Sequence, residues 1–438
     1  DNELLEIRYS GKPAAFLRAF KAGYFAILYN FIVMGWVINA MASVVSVMLN
    51  MDKWTAVWLC VTIAVVYAIL SGFWGVVITD IVQFFIAMFG SIALAIIALN
   101  HVGGMDILLQ KLSSLMGTDI IHENTLKFIP PLPDSSMNTL TFWESPFSKF
   151  LIFITVMWWS HHGTDGGGYI IQRMSSAKNE KHALLATLWF NLAHYAVRVW
   201  PWIIVGVVSI VMFPVIPDSY SDLGTKAGYP LVMNVLLGPG MKGILIVSFL
   251  AAFMSTIDTH LNWGASYIIN DIYKRFFKPN ESERHYVIVS KVITVILMVL
   301  AAFTALKMQS ISKAWAFIFS MGAGIGLVLI LRWFWWRINA WSEITALSTS
   351  IFITILLETL AWWQVSAKEG SYSLFGTEPV LFGIQIQVHH KLIIIVPIAI
   401  LSWLIATFIT KPEPTEHLQK FYEKVQPGGW WGPITTNF

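Results

Sequence analysis

The chain has 438 residues, of which 56% are hydrophobic and only 12% charged, with a net charge of +3. Soluble domains carry about 25% charged residues. Half that density leaves too little polar material for a water-facing surface, and the near-neutral balance supplies no basic footprint for nucleic acid. Cys60 is the single cysteine, which excludes an internal disulfide and a multi-thiolate metal centre.

A membrane-spanning helix needs roughly 20 mostly apolar residues. Residues 24–51 contain no Asp, Glu, Lys or Arg, and neither do residues 314–331. The same scan along the whole chain predicts ten spans, at about 22–49, 54–70, 74–99, 147–172, 183–216, 240–268, 286–307, 313–337, 342–364 and 390–410. The chain therefore reads as an all-α polytopic protein of the lipid bilayer. A transmembrane domain, 22–410, lies between an N-terminal segment, 1–21, and a tail, 411–438. Alternating the spans gathers Arg8, Arg18, Arg173, Arg275, Arg284, Arg332 and Arg337 on the side of both termini, seven of the eight arginines. The positive-inside bias makes that side cytoplasmic, in a plasma or inner membrane. The long loops 100–146, 217–239 and 365–389 then face outward. The tail ends in Pro427-Gly428-Gly429-Trp430-Trp431, which suits a segment lying at the membrane interface.

Ionisable groups at bilayer depth are costly and mark function by default. Asp80 sits about two turns into its span, after the turn at Gly72; the bland alternative is an interfacial carboxylate. In 158–173, Trp158-Trp159-Ser160-His161-His162-Gly163-Thr164-Asp165-Gly166-Gly167-Gly168 places four glycines within six residues. Either this is a broken helix lining a cavity, as irregular backbone at this depth requires, or the helix ends at Gly163 and a turn follows. His194 and Arg198, spaced i and i+4, share a face; the arginine is either in a structural ion pair or directed at solute. Ser255, Thr256, Asp258 and Thr259 put four oxygen-bearing side chains into five residues, and hard cations take oxygen ligands. Hydroxyls that back-bond to their own helix are the alternative.

Three segments together resemble the sodium:solute symporter family, which contains the sodium/glucose and sodium/proline cotransporters. They are Thr79-Asp80-Ile81-Val82-Gln83 after Gly72, Tyr169-Ile170-Ile171-Gln172-Arg173 with Ala177-Lys178, and Ser255-Thr256-Ile257-Asp258-Thr259 through Asn270-Asp271-Ile272-Tyr273. The resemblance runs from Tyr9 to the tail. It implies a LeuT-type bundle of five-plus-five inverted repeats, with the first eight spans standing for core helices three to ten and the last two peripheral. The leading helix and core helices one and two are then missing from this chain, and with them half of the family's common sodium site. The half that remains would use the Ala252 carbonyl and the hydroxyls of Ser255 and Thr256. A second sodium site would map to Asp80, Ser255, Asp258 and Thr259, with Asp258 standing where a hydroxyl residue is often found.

The aromatic residues that precede Tyr-Ile-x-Gln-Arg in sugar carriers are absent here, so a glucose-type site does not carry over. Solute contacts are expected from Ser160, His161, Thr164, Asp165, His194 and Arg198, a set that would suit an anionic or zwitterionic solute. The implied activity is sodium-driven (Na+) symport of a small polar organic solute by alternating access, and not an enzymatic one. The rivals are proton coupling, a membrane receptor or sensor on the same scaffold, and an intramembrane enzyme using His161, His162 and Asp165.

Overall fold

The computed structural model describes residues 2–70, 73–118, 121, 127–133, 139–164, 166–367 and 377–435, with backbone alone at 69–70, 73–80, 139–141, 169 and 172. Its helices are α1 (Asn2–Arg8), α2 (Gly11–Leu49), α3 (Lys53–Leu70), α4 (Phe73–Val102), α5 (Met105–Leu115), α6 (Thr139–Glu144), α7 (146–160), α8 (Gly167–Ser175), α9 (Glu180–Met212), α10 (Gly228–Leu236), α11 (Pro239–Phe277), α12 (Glu283–Lys307), α13 (Ile311–Met321), α14 (Gly326–Phe334), α15 (Ala340–Ser366), α16 (Val388–Ile409), α17 (Thr415–Val425) and α18 (Gly432–Thr435). A two-stranded antiparallel hairpin, β1 (Val380–Leu381) and β2 (Ile384–Gln385), precedes α16. Among the described residues, seven helices are long and apolar enough to cross a membrane, or eight if α13 and α14 form one bent crossing. The chain is a multi-pass membrane protein.

The ten expected segments fall on helices, but among the described residues only seven or eight are long enough to cross, the 54–70 segment being a shorter apolar helix; three further departures stand out. The first helix begins at Gly11, eleven residues before the expected start at 22. Its opening turns carry Arg18 and Lys21, which periodicity alone assigns to water. Both find carboxylate partners inside the protein, Arg18 at Asp271 and Lys21 at Glu343, so the charges do not end the helix. Residues 2–21 are accordingly packed into the bundle, with Leu5, Tyr9 and Leu17 buried.

The second departure is at 147–172, where α7 stops at Ser160 and α8 starts at Gly167. Gly166 and Gly167 have φ of +100° and +63°, which glycine adopts without steric cost. The third is at 313–337, expected as one span and found as two helices bent by 43° around 322–325. Gly322 and Gly326 let other chain segments approach there: a Cβ on Gly326 would overlap the Trp159 carbonyl oxygen, and one on Gly322 the His162 ring. The two interrupted helices therefore meet at their interruptions.

α2 organises the interior. Its first half packs with α11, α13, α14 and α15, and its second half with α3, α11 and α12. Gly35 on α2 faces Thr304 of α12 closely, and the Asn39 amide donates to the Ala305 and Met308 carbonyls at 2.8 and 3.0 Å. π-helical turns, each holding an extra residue, interrupt α2 at Tyr24–Tyr29, α9 at Leu192–Val197 and the end of α11 at Ile268–Phe277. Such turns cluster at functional sites.

Candidate ion and solute site

A cavity of about 600 Å³ opens between α4, α8, α9 and α11. Its wall is mostly apolar, with Ile81, Phe84, Phe85, Met88, Trp189 and Phe190. The polar exceptions include Arg173, His194, Arg198, Ser255 and Thr256, and Ala252 also lines it. The three residues expected at the common sodium site are therefore brought together with His194 and Arg198. Thr256 Oγ1 donates to the Ala252 carbonyl at 2.9 Å. This is the bond to its own helix that was the alternative to cation binding, and it occupies the Ala252 carbonyl expected as a ligand. On α9, His194 stacks on Phe190 with centroids 5.1 Å apart, and the Arg198 guanidinium lies over the Trp202 ring at 4.8 Å. The His194 Nδ1 atom is buried without a hydrogen-bond partner.

One turn along α11 the surroundings change. Thr259 accepts a hydrogen bond from Arg173 Nη2 at 2.9 Å, and Asp258 accepts one from Asn262 at 3.0 Å. Both residues are buried. The side chain of Asp80, the fourth member of the expected second site, lies outside the described residues, as does Asp165.

The interruption between α7 and α8 is held by its own side chains. Thr164 Oγ1 donates to the carbonyls of Trp159 and His161 at 2.9 and 2.6 Å, and His161 Nδ1 accepts from the Gly163 amide at 2.9 Å. These groups satisfy carbonyls that the end of α7 would otherwise leave open. Ser160 is fully buried, and its hydroxyl has no partner.

Beside this turn lies a group that the sequence reading missed. The His162 ring is enclosed by Tyr24, Phe25 and Tyr29 of the α2 π-turn, with centroids 5.9, 5.4 and 4.8 Å away. Trp263 of α11 packs on Phe25 and Tyr29 at 5.8 and 6.0 Å. Below it Asn30 and His260 pair reciprocally: the Asn30 amide donates to the His260 carbonyl at 2.7 Å, and its Oδ1 lies 2.8 Å from His260 Nδ1. Tyr24 OH, His162 Nδ1 and Trp263 Nε1 are buried without partners. A buried polar group left unsatisfied costs about 1–3 kcal/mol, so three in one aromatic shell, at the crossing of two interrupted helices, mark a place built to meet polar groups. Nothing in the apolar run of Tyr24–Tyr29 announces the π-turn. The spacing Gly322-Ala323-Gly324-Ile325-Gly326 was the available signal for the second interruption.

Comparison with known proteins bears on the whole bundle. The profile of the sodium:solute symporter family matches residues 2–352. Mouse sodium/glucose cotransporter 1 is 24% identical over 96% of this chain, and the high-affinity proline transporter PutP of Bacillus subtilis is 25% identical over 78% of it. The chain spans 65% of the mouse protein's length and 67% of the bacterial one's. A Na+-coupled sialic acid symporter, solved in a substrate-bound outward-open state, superposes with a TM-score of 0.64 over 94% of this chain and 78% of its own, at 16% identity. That likeness is one of fold, the LeuT-like bundle. With more than half its residues matched by the family profile, the chain belongs to the sodium:solute symporter family.

Proposed function

We propose that this chain forms the ion- and solute-handling bundle of a sodium-coupled symporter that moves a small polar organic solute by alternating access. The bundle would lie in a plasma or inner membrane with both ends of the chain in the cytoplasm. The observation that carries the reading is that Ala252, Ser255 and Thr256 line one cavity with His194 and Arg198. The driving force is adequate: one sodium ion crossing 100 mV inward gains about 2.3 kcal/mol. We assign the coupling ion to the Ala252, Ser255 and Thr256 position. A second cation beside Asp258 and Thr259 would have to bind against the Arg173 guanidinium that already holds Thr259.

The solute chamber we assign to the aromatic shell of Tyr24, Tyr29, His162 and Trp263, with Ser160 at its edge. Its relatives are named for glucose, proline and sialic acid, so those three compounds are the first to offer to the full-length protein in proteoliposomes. Uptake should require sodium. Ser255→Ala should raise the sodium concentration for half-maximal uptake several-fold and leave the fold intact, because alanine is the better helix former. Thr256→Val should do the same while conserving shape. Uptake equally fast in choline or potassium would remove sodium coupling and leave proton coupling as the reading.

A further inference from the structure

The C-terminal segment 411–435 does not trail from the last span. It returns to the end of α14. The Trp430 amide donates to the Phe334 carbonyl at 2.6 Å, the Trp336 amide donates to the Trp430 carbonyl at 3.3 Å, and Trp431 Nε1 donates to the Trp333 carbonyl at 3.0 Å. Gly429, at φ +96°, makes this approach possible: a Cβ there would stand 2.5 Å from the Phe334 oxygen. Leu418, Phe421, Trp431 and Ile434 are buried together with Leu4, Trp333 and Trp336 around them. Arg8 of α1 is locked into the same joint. Its guanidinium lies 5.4 Å from the Phe421 ring and 5.2 Å from that of Trp431, while Nε donates to the Arg332 carbonyl at 2.9 Å and Nη2 to those of Trp335 and Trp336 at 3.2 and 3.3 Å. Farther up the tail, the Ser10 hydroxyl donates to Glu413 at 2.6 Å.

All these contacts on the bent crossing fall on 332–336, on one side of its interruption. The interruption itself is anchored elsewhere, by the Gly324 amide donating to Ser350 of α15 at 3.0 Å. A short helix pinned at one end by a glycine-bearing bend and at the other by a separate strip of chain is a lever with a fastening. We propose that residues 411–435 are a strap that fastens α14 in its present setting about the 322–325 bend, so that any movement of α14 during the cycle must release the strap or carry it along. The strap goes beyond the symport reading and holds whatever ion or solute the protein moves.

Hydrogen exchange on the full-length protein in nanodiscs tests this. Trp431→Ala and, separately, Gly429→Val should each speed amide exchange over 326–338 by about tenfold, while α13 at 311–321, across the bend, exchanges as before. Equal acceleration on both sides of the bend, or none on either, overturns the strap. A cross-link makes the opposite test on a fully packed protein. With Cys60→Ala, the pair Trp335→Cys and Trp430→Cys replaces the two bridged residues. Oxidation should slow exchange over 326–338 and reduction should restore it. Exchange that ignores the cross-link overturns the proposal even where both strap variants fail to fold.

Discussion

Among the described residues, the end of the bundle that carries both termini is closed by full charges, and at the end that carries the long loops two lysines rest on neutral acceptors. At the terminal end Glu343, fully buried, takes the Tyr9 hydroxyl at 2.7 Å and Arg332 at 3.2 Å, with the Lys21 ammonium 3.5 Å away. Arg18 joins Glu6 and Asp271, each at 2.6 Å. Asn2 adds a hydrogen bond to Asp271, and Arg275 pairs with Glu6. These bonds tie α1 and α2 to α11, α14 and α15. At the loop end the 218–227 segment is held by Lys226, which donates to Asn39 Oδ1 at 3.1 Å and to the Gln309 carbonyl at 3.2 Å, and Lys53 donates to the Met308 carbonyl at 3.2 Å. Lys391 pairs there with Glu358 at 2.7 Å. Breaking a buried pair strands a charge, whereas an ammonium withdrawn from a carbonyl returns to water with little loss. The two ends therefore differ in how much it costs to part them, and the loop end is the easier to open.

The largest break in this comparison should come from Glu343→Gln. It keeps the shape and leaves Lys21 and Arg332 without their carboxylate, so a loss of about 3–5 kcal/mol is expected, read as a fall in thermal stability of the purified protein. A loss no greater than that of a loop-end lysine variant would end the distinction. Arg18→Met should cost less, since Glu6 is partly exposed and the buried Asp271 keeps its hydrogen bond from Asn2, and should loosen α1 without unfolding the bundle. Acid should act at the same place. The hydrogen bonds from Arg275 and Arg18 hold the Glu6 carboxyl below its ordinary range. A carboxylate so lowered contributes stability above its unfolded pKa, which is lost as pH falls through the folded value. Exchange over 2–10, corrected for the intrinsic effect of pH on amide exchange, should therefore rise on acidification, and Glu6→Gln should show that faster exchange already at neutral pH.

How much of this was legible in the residues follows from what each signal encodes. Span order and most boundaries come from apolar length, a one-dimensional property, and they transferred to within a few residues, whereas the expected number of ten did not: seven described helices, or eight with the bent pair, are long enough to cross. The start of α2 did not, because Arg18 and Lys21 look like the end of a span until their partners more than 250 residues away are known. The grouping of Ala252, Ser255 and Thr256 came from the family resemblance, while the residues alone showed only the oxygen-rich cluster from Ser255 to Thr259. The enclosure of His162 by Tyr24, Phe25, Tyr29 and Trp263 was not, since it needs a π-turn in α2 and two interrupted helices that cross at glycines. Glu343 went unremarked for the same reason: near the start of a span it reads as a first-turn acid at an interface, and only the fold surrounds it with two cationic side chains and a tyrosine. The double tryptophan of the tail was read as resting at the membrane interface, whereas Trp431 is buried against Trp333.

The smallest expected effect sharpens the loop-end half of the comparison. Burial, with the Lys53 charge nearby, pushes the Lys226 ammonium down to about 8. When the 218–227 segment lifts off, Lys226 regains the ordinary lysine value near 10.4. Between those two values the lifted state binds more protons than the docked one, so raising the pH through that window favours docking. Below about pH 8 the lysine is protonated in both states and docking no longer responds. Exchange over 218–227, corrected for the intrinsic effect of pH on amide exchange, should therefore slow from pH 7.5 to 9.5. Lys226→Met should abolish that pH response, since it removes the titrating group, and should change overall stability by less than about 1 kcal/mol. A pH response that survives in Lys226→Met would assign the effect to Lys53 instead, and a large loss of stability would show that the loop end is fastened as firmly as the end that holds Glu343.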